Sequence, residues 1–198
     1  MGAVMGLLSD LLEHLLASDP AGRRAGLVGL VGRAFGTEPV VVSHPEVQRP
    51  ELTVVRLRKT ATRPYAITVT IGLAPSVGRE WLALTETDGR DPVDRDRFAW
   101  LVGAVAGGAR GGAIPLPAGC LGRSSHTNAV VGDPWPMPPL DRPEYERIVG
   151  GRFELVVPIT DREASYVADR GADALLDAMR AQGVAPFADR TPGGTVLS

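Results

Sequence analysis

The chain has 198 residues, 44% of them hydrophobic, and a formal net charge of −2, with a pI near 5.9. That length and apolar fraction suit one globular domain with a real core, or one domain with an extension. The charge balance excludes a strongly basic nucleic-acid-binding face, because Arg23-Arg24 and Arg56/Arg58/Lys59 are short runs balanced by acids elsewhere.

Cys120 is the only cysteine, which excludes an intramolecular disulfide and a disulfide-stapled scaffold. No apolar run reaches the roughly 18 residues a membrane span needs. Asp10, Glu13 and His14 interrupt the first apolar stretch, which has no basic leader, and position 6 is Gly where a myristoylation site needs Ser or Thr. A cytoplasmic location is the expectation. Lys59 is the only lysine among 21 basic residues and Asn128 the only asparagine. Nucleotide bias in a GC-rich bacterial genome accounts for that skew better than surface chemistry does.

Two helices are predicted first. Leu7, Leu8, Leu11, Leu12, Leu15 and Leu16 form a leucine stripe that either packs on the core or serves as a dimer or partner-docking face. Ser18-Asp19-Pro20 then stops it and starts a second helix, with Asp19 as N-cap and Pro20 at the first helical position. Leu27, Leu30, Val31, Ala34 and Phe35 give that helix its apolar face, and Gly36 ends it.

A β-rich block follows. Val40 to Ser43 reads as a short strand. Period-two alternation predicts strands around Leu52 to Arg58 and Tyr65 to Leu73, and Trp81 to Thr85 reads as another. The short turns Thr62-Arg63-Pro64 and Pro75-Ser76-Val77-Gly78 suit antiparallel neighbours. Asp91-Pro92 caps a third helix whose buried face is Phe98, Leu101, Val102 and Val105. Residues 107–143 are rich in Gly and Pro yet carry Ile114, Leu116, Val130, Val131 and Trp135, so an ordered loop wrapped over the sheet is expected.

Phe153 to Ile159 reads as a buried strand that launches a helix. Thr160 stands at the N-cap with Glu163 three residues on, the capping-box pattern. Ala164, Val167, Ala168, Gly171, Ala172, Leu175, Leu176 and Met179 then recur as one apolar face, and Gly183 suits the stop. The fold class expected is α+β, a mostly antiparallel sheet flanked by helices with an N-terminal helical pair. The division expected is a helical extension over 1–36, the main domain over 37–187 and a loose tail over 188–198.

Chemistry is sparse. Cys120, His126 and Asp133 could supply a nucleophile, base and orienter in the Gly/Pro-rich segment, but no family-specific sequence surrounds the cysteine. A pocket there would suit a small tailoring enzyme. His14, His44, His126 and Cys120 have no metal-ligand spacing, and the glycines from Gly103 to Gly112 follow a helix rather than open one after a strand. No cofactor or metal is expected.

Several segments, read in order, resemble suppressor-of-fused domains. They are Pro64 to Leu73, a strand ending in a Thr-x-Gly-Leu turn with Ala74 where Ser is usual; Glu80-Trp81-Leu82-Ala83-Leu84; the helix from Pro92 to Val105; the Pro117-Ala118-Gly119 turn; and the Pro158-Ile159-Thr160 strand end with its helix. The resemblance spans roughly residues 38 to 186. Beyond Gly119 the chain departs from the aromatic-Gly-His character of bacterial members, with His126 as its remnant. The resemblance implies a protein-binding module, immunity-like or regulatory, that holds a partner polypeptide (a toxin among the options) by strand addition at a sheet edge. It implies no catalytic residues. Within that frame Arg123, Trp135, Met137 and Tyr145 are the partner-contact candidates. No nucleic acid or membrane partner is expected, and a homodimer through the leucine stripe remains open.

Overall fold

The structure, a computed structural model, describes residues 20–42, 52–87, 92–105, 111–122, 124–133 and 151–188. Helix α1 spans Pro20–Ala34 and is followed by strands β1 (Pro39–Val42), β2 (Thr53–Leu57) and β3 (Ala66–Ile71). A single turn, α2 (Ala74–Val77), leads into β4 (Arg79–Thr85), and α3 covers Pro92–Val105. Then come β5 (Ile114–Pro115), β6 (His126–Gly132) and β7 (Arg152–Thr160), followed by helices α4 (Asp161–Arg170) and α5 (Ala172–Ala181).

The strands form a seven-stranded sheet in the order β1-β2-β3-β4-β7-β6-β5. β4 and β7 run parallel, and every other neighbouring pair is antiparallel. The alternation of each strand sorts its side chains into two cores. On one face Val55, Leu57, Ile67, Val69, Leu82, Leu155 and Val157 meet α1 through Leu27, Leu30, Val31 and Phe35, and α4/α5 through Val167, Leu175, Leu176 and Met179. On the other face Val54, Trp81, Ala83, Ala129, Val131 and Val156 meet α3 through Phe98, Leu101, Val102 and Val105. β3 is therefore buried at all six positions. No helix among the described residues is long and apolar enough to cross a membrane.

The α+β architecture with a mostly antiparallel sheet is the one expected from the sequence. The second predicted helix is α1, and its apolar face belongs to the same core as the sheet. The leucine stripe at residues 7–16 lies outside the described residues. Two expectations are corrected. The C-terminal helix is two helices, because Gly171 takes φ +86° and ψ 161° and the Ala172 amide donates to Gly111 O (3.2 Å) instead of continuing the ladder. The glycine that looked like one more small residue on an apolar face is the break. Also, the Gly/Pro-rich segment is not only loop: its described part includes β6, whose Ala129, Val130 and Val131 are fully buried.

Candidate functional site

Three of the buried charged side chains, Glu80, Arg56 and Arg63, tie the strands to the turns and helices around them. Glu80, the second residue of β4, is 1% exposed. Its Oε1 accepts from the backbone N–H groups of Gly72 (2.8 Å), Leu73 (2.9 Å) and Ala74 (2.9 Å). The Thr70 hydroxyl donates to Oε2 at 2.7 Å and itself accepts from the Trp81 N–H at 2.8 Å. One carboxylate thus satisfies the amides of the turn leading into α2. Burial pushes the carboxyl above its ordinary value, against the opposing pull of the hydrogen bonds from Ala74, Thr70, Gly72 and Leu73.

Arg56 on β2 lies on the α3 face. It donates to Thr68 Oγ1 (2.7 Å), Thr85 Oγ1 (2.6 Å) and Thr87 O (3.1 Å), with its guanidinium carbon 5.3 Å from the Phe98 ring centre. Arg63, in the turn before β3, donates to Phe35 O (3.1 Å), Tyr65 O (3.2 Å) and Arg58 O. It ties the chain just beyond α1 to the β2–β3 hairpin and stacks near the rings of Phe35 and Tyr65. Burial lowers its pKa and Tyr65 opposes that shift, but a guanidinium stays charged over any working pH.

The far margin of the sheet is built by the Gly/Pro-rich segment. β5 pairs with β6 through Ile114↔Ala129 and Pro115↔Asn128, and the Leu116 N–H donates to Thr127 O at 2.9 Å. β6 carries a bulge between His126 and Asn128 where it meets the end of β7. That irregularity turns Thr127 and Asn128 towards the start of α4, where Thr127 Oγ1 (2.5 Å) and Asn128 Nδ2 (2.9 Å) donate to Asp161 Oδ1. Beside them the Thr160–Glu163 capping box is complete.

The residues proposed for catalysis are placed as follows. Cys120 sits in the turn Pro117–Gly122, is 1% exposed and packs in the core under α3. Burial pushes its thiol up to about 12, the reverse of what a nucleophile needs. His126 is buried with Nδ1 2.8 Å from Ser124 Oγ. Asp133 is exposed and follows the end of β6. His126 opens that seven-residue strand, so about 20 Å separates base from orienter at roughly 3.3 Å per residue. The structure does not bring these two together. Among the described residues no group of three His, Cys, Asp or Glu could hold a metal ion. The partner-contact candidates Arg123, Trp135, Met137 and Tyr145 lie outside the described residues.

Sequence reasoning did not single out Glu80, Arg56 or Arg63. The available signal was a charged residue inside an otherwise apolar strand, as Arg56 stands between Val55 and Leu57 and Glu80 before Trp81-Leu82.

A mixed sheet with a helical layer on each face and the helix pair α4/α5 after β7 is the suppressor-of-fused fold. A crystal structure of a suppressor-of-fused homologue from Neisseria gonorrhoeae FA 1090 superposes with a TM-score of 0.63 at 14% identity, covering 88% of this chain and 97% of that one. A chain of the Sufu–Fu complex crystal structure superposes with a TM-score of 0.57 at 14% identity, covering 88% of this chain and 92% of that one. No protein-family model matches the chain, and no curated protein matches it by sequence.

Proposed function

We propose that this chain is a protein-binding module that holds a segment of a partner polypeptide against the β5–β6 margin of its sheet and the rest of segment 107–143. The observation that carries the reading is where that segment sits. Its described residues build β5, which among the described residues is the outermost strand on that side and covers only part of β6, leaving Val130 to Gly132 beyond its register. A short outer strand beside a longer one offers main-chain groups to an added strand. The Sufu–Fu complex, in which a protein of this fold is crystallised with a second protein, supports the same reading by fold analogy.

Arg123, Trp135, Met137 and Tyr145 are the residues we assign to partner contact. Trp135, Met137 and Tyr145 supply apolar area and Arg123 a charge-assisted donor. The biological role we assign is immunity-like or regulatory, with a toxin as one class of partner, and the compartment is cytoplasmic. The alternative, an enzyme using Cys120, His126 and Asp133, is weakened by the buried high-pKa thiol and the length of β6.

Affinity purification of the tagged protein from its own host, with mass spectrometry of the eluate, tests the reading. The expected result is a stoichiometric polypeptide partner that Trp135→Ala releases. A preparation that carries no polypeptide and turns over a metabolite, with activity lost in Cys120→Ala or His126→Ala, overturns it in favour of the enzyme. Growth rescue on co-expression with a neighbouring toxin gene would separate immunity from regulation.

A further inference from the structure

The opposite margin of the sheet, β1, carries an arrangement that the reading above does not use. Among the described residues β1 is the terminal strand on that side, and Val41, in its middle, is 61% exposed. Two cavities run beside it. One, of about 490 Å³, lies between the C-terminal half of α1 and Pro39, lined among others by Gly29, Arg33 and Gly36. The other, of about 470 Å³, continues past Val40, Val41 and Arg58. Both are bordered by Thr37, Glu38 and Pro39, so they are two reaches of one groove.

The groove has a bare floor and charged walls. A Cβ at Gly29 would meet nothing nearer than Arg33 Nη1 at 3.8 Å. Next to it Gly32 lets helix and strand close in, since a Cβ there would lie 2.5 Å from Pro39 Cδ. Among the described residues neither the Arg33 nor the Arg58 guanidinium makes an ion pair or hydrogen bond, and both residues are exposed. Among the described residues that line the groove, Glu38 is the one acid.

We propose that the β1 margin is a second docking surface, which takes an extended acidic segment of a partner polypeptide as an added strand. Four residues of the partner, spanning about 13 Å, match the length of β1. Main-chain groups would pair with the outer side of β1; side chains on the α1 face would meet Val41 and Arg33, those on the other face Val40 and Arg58, and carboxylates on either face find a guanidinium. The charge selects the occupant. A second copy of this chain would bring two cations against one carboxylate, Glu38, and leave the seam with an excess of positive charge. The β5 margin differs in kind, since Pro115 and Pro117 remove donors from β5 and leave β6 beyond it to supply the main-chain groups.

The test is fluorescence anisotropy on the full chain with two labelled octapeptides, one alternating Val and Glu, the other Val and Lys. The Val/Glu peptide is expected to bind about tenfold or more tighter, a preference that falls with salt. Arg33→Glu combined with Arg58→Glu should reverse the preference, which general loss of structure cannot do. Gly29→Leu, which fills the floor at a site with room for a side chain, should weaken the Val/Glu peptide about tenfold while the protein stays folded. Equal binding of the two peptides, no binding of either, or a preference unchanged by the charge reversal overturns the proposal. So does a wild-type dimer made monomeric by Val41→Lys, which would assign the margin to a second copy. The proposal stands apart from segment 107–143: Trp135→Ala should leave this peptide binding intact.

Discussion

Replacing Glu80 by alanine should cost about 2–4 kcal/mol of stability. The carboxylate accepts from three backbone amides, two of them in fully buried hydrogen bonds and the third, from Gly72, partly buried. A buried donor left without an acceptor costs about 1–3 kcal/mol; at about 1.2–2 kcal/mol for each of the two buried donors and half that for the third, the loss is about 3–5 kcal/mol. Removing a desolvated charge returns about 1 kcal/mol of that. Glu80→Gln keeps an oxygen facing the amides and should cost about 1 kcal/mol or less. Urea unfolding followed by tryptophan fluorescence measures both, since Trp81 is buried next in sequence. Amide exchange at Gly72, Leu73 and Ala74 should quicken in the alanine variant alone. An alanine variant within about 0.5 kcal/mol of wild type, or a glutamine variant as weak as the alanine one, would show that the turn does not depend on this carboxylate.

Glu80 also makes a pH prediction. Its folded-state pKa is raised, so the folded protein binds the proton more tightly than the unfolded chain and stability falls as pH rises through the window between the unfolded and folded values. The stability of wild type relative to Glu80→Gln should therefore drop from pH 4 to pH 7, and a relative gain would refute the sign. Thr160→Ala breaks the capping box at the start of α4 and should cost about 1 kcal/mol in thermal unfolding, with Glu163→Ala adding less in its background than alone. Cys120, buried with its thiol near 12, should resist a thiol reagent at pH 8 until denaturant is added, and labelling of the folded protein at the rate of a free thiol would contradict its placement. Arg63→Met strips the carbonyls of Phe35, Arg58 and Tyr65 of a shared donor and should cost about 2–4 kcal/mol, with faster amide exchange at the C-terminal end of α1.

What the sequence revealed and what it hid follow from the range of the interactions involved. The start of α4 was readable because a capping box is written within four residues, Thr160 to Glu163. α1 and α3 announce themselves by a Pro at the first position and by apolar residues at three- and four-residue steps, Leu27, Leu30 and Val31 in one and Phe98, Leu101, Val102 and Val105 in the other. β3 was readable as a strand, but its Thr68 and Thr70 gave no sign that they face buried Arg56 and Glu80 rather than water. That pairing depends on residues 12 and 10 positions away, which periodicity cannot see. β6 was masked by the glycines and prolines around it, although Ala129-Val130-Val131 is a short apolar run. The break at Gly171 was hidden because helical spacing continues across it, and only the bond from Ala172 to Gly111 fixes it in place. Of the candidate contacts, the β1 groove needs α1 and β1 side by side, a juxtaposition no local pattern encodes.

The parallel pairing of β4 with β7 bears on how the chain reaches this state. Arg79 meets Arg152 in that register, so the centre of the sheet closes between strands far apart in the chain, while β1 to β4 can form as a local meander. Contacts of long sequence separation form late and slowly. On the ribosome the N-terminal half would wait with one side of β4 open until β7 emerges to fill it, and an unpaired strand of this apolar character is prone to wrong partners during the delay. The last strand synthesised is thus a central one, and a chain cut short before Arg152 would lack the strand that joins the two halves of its sheet.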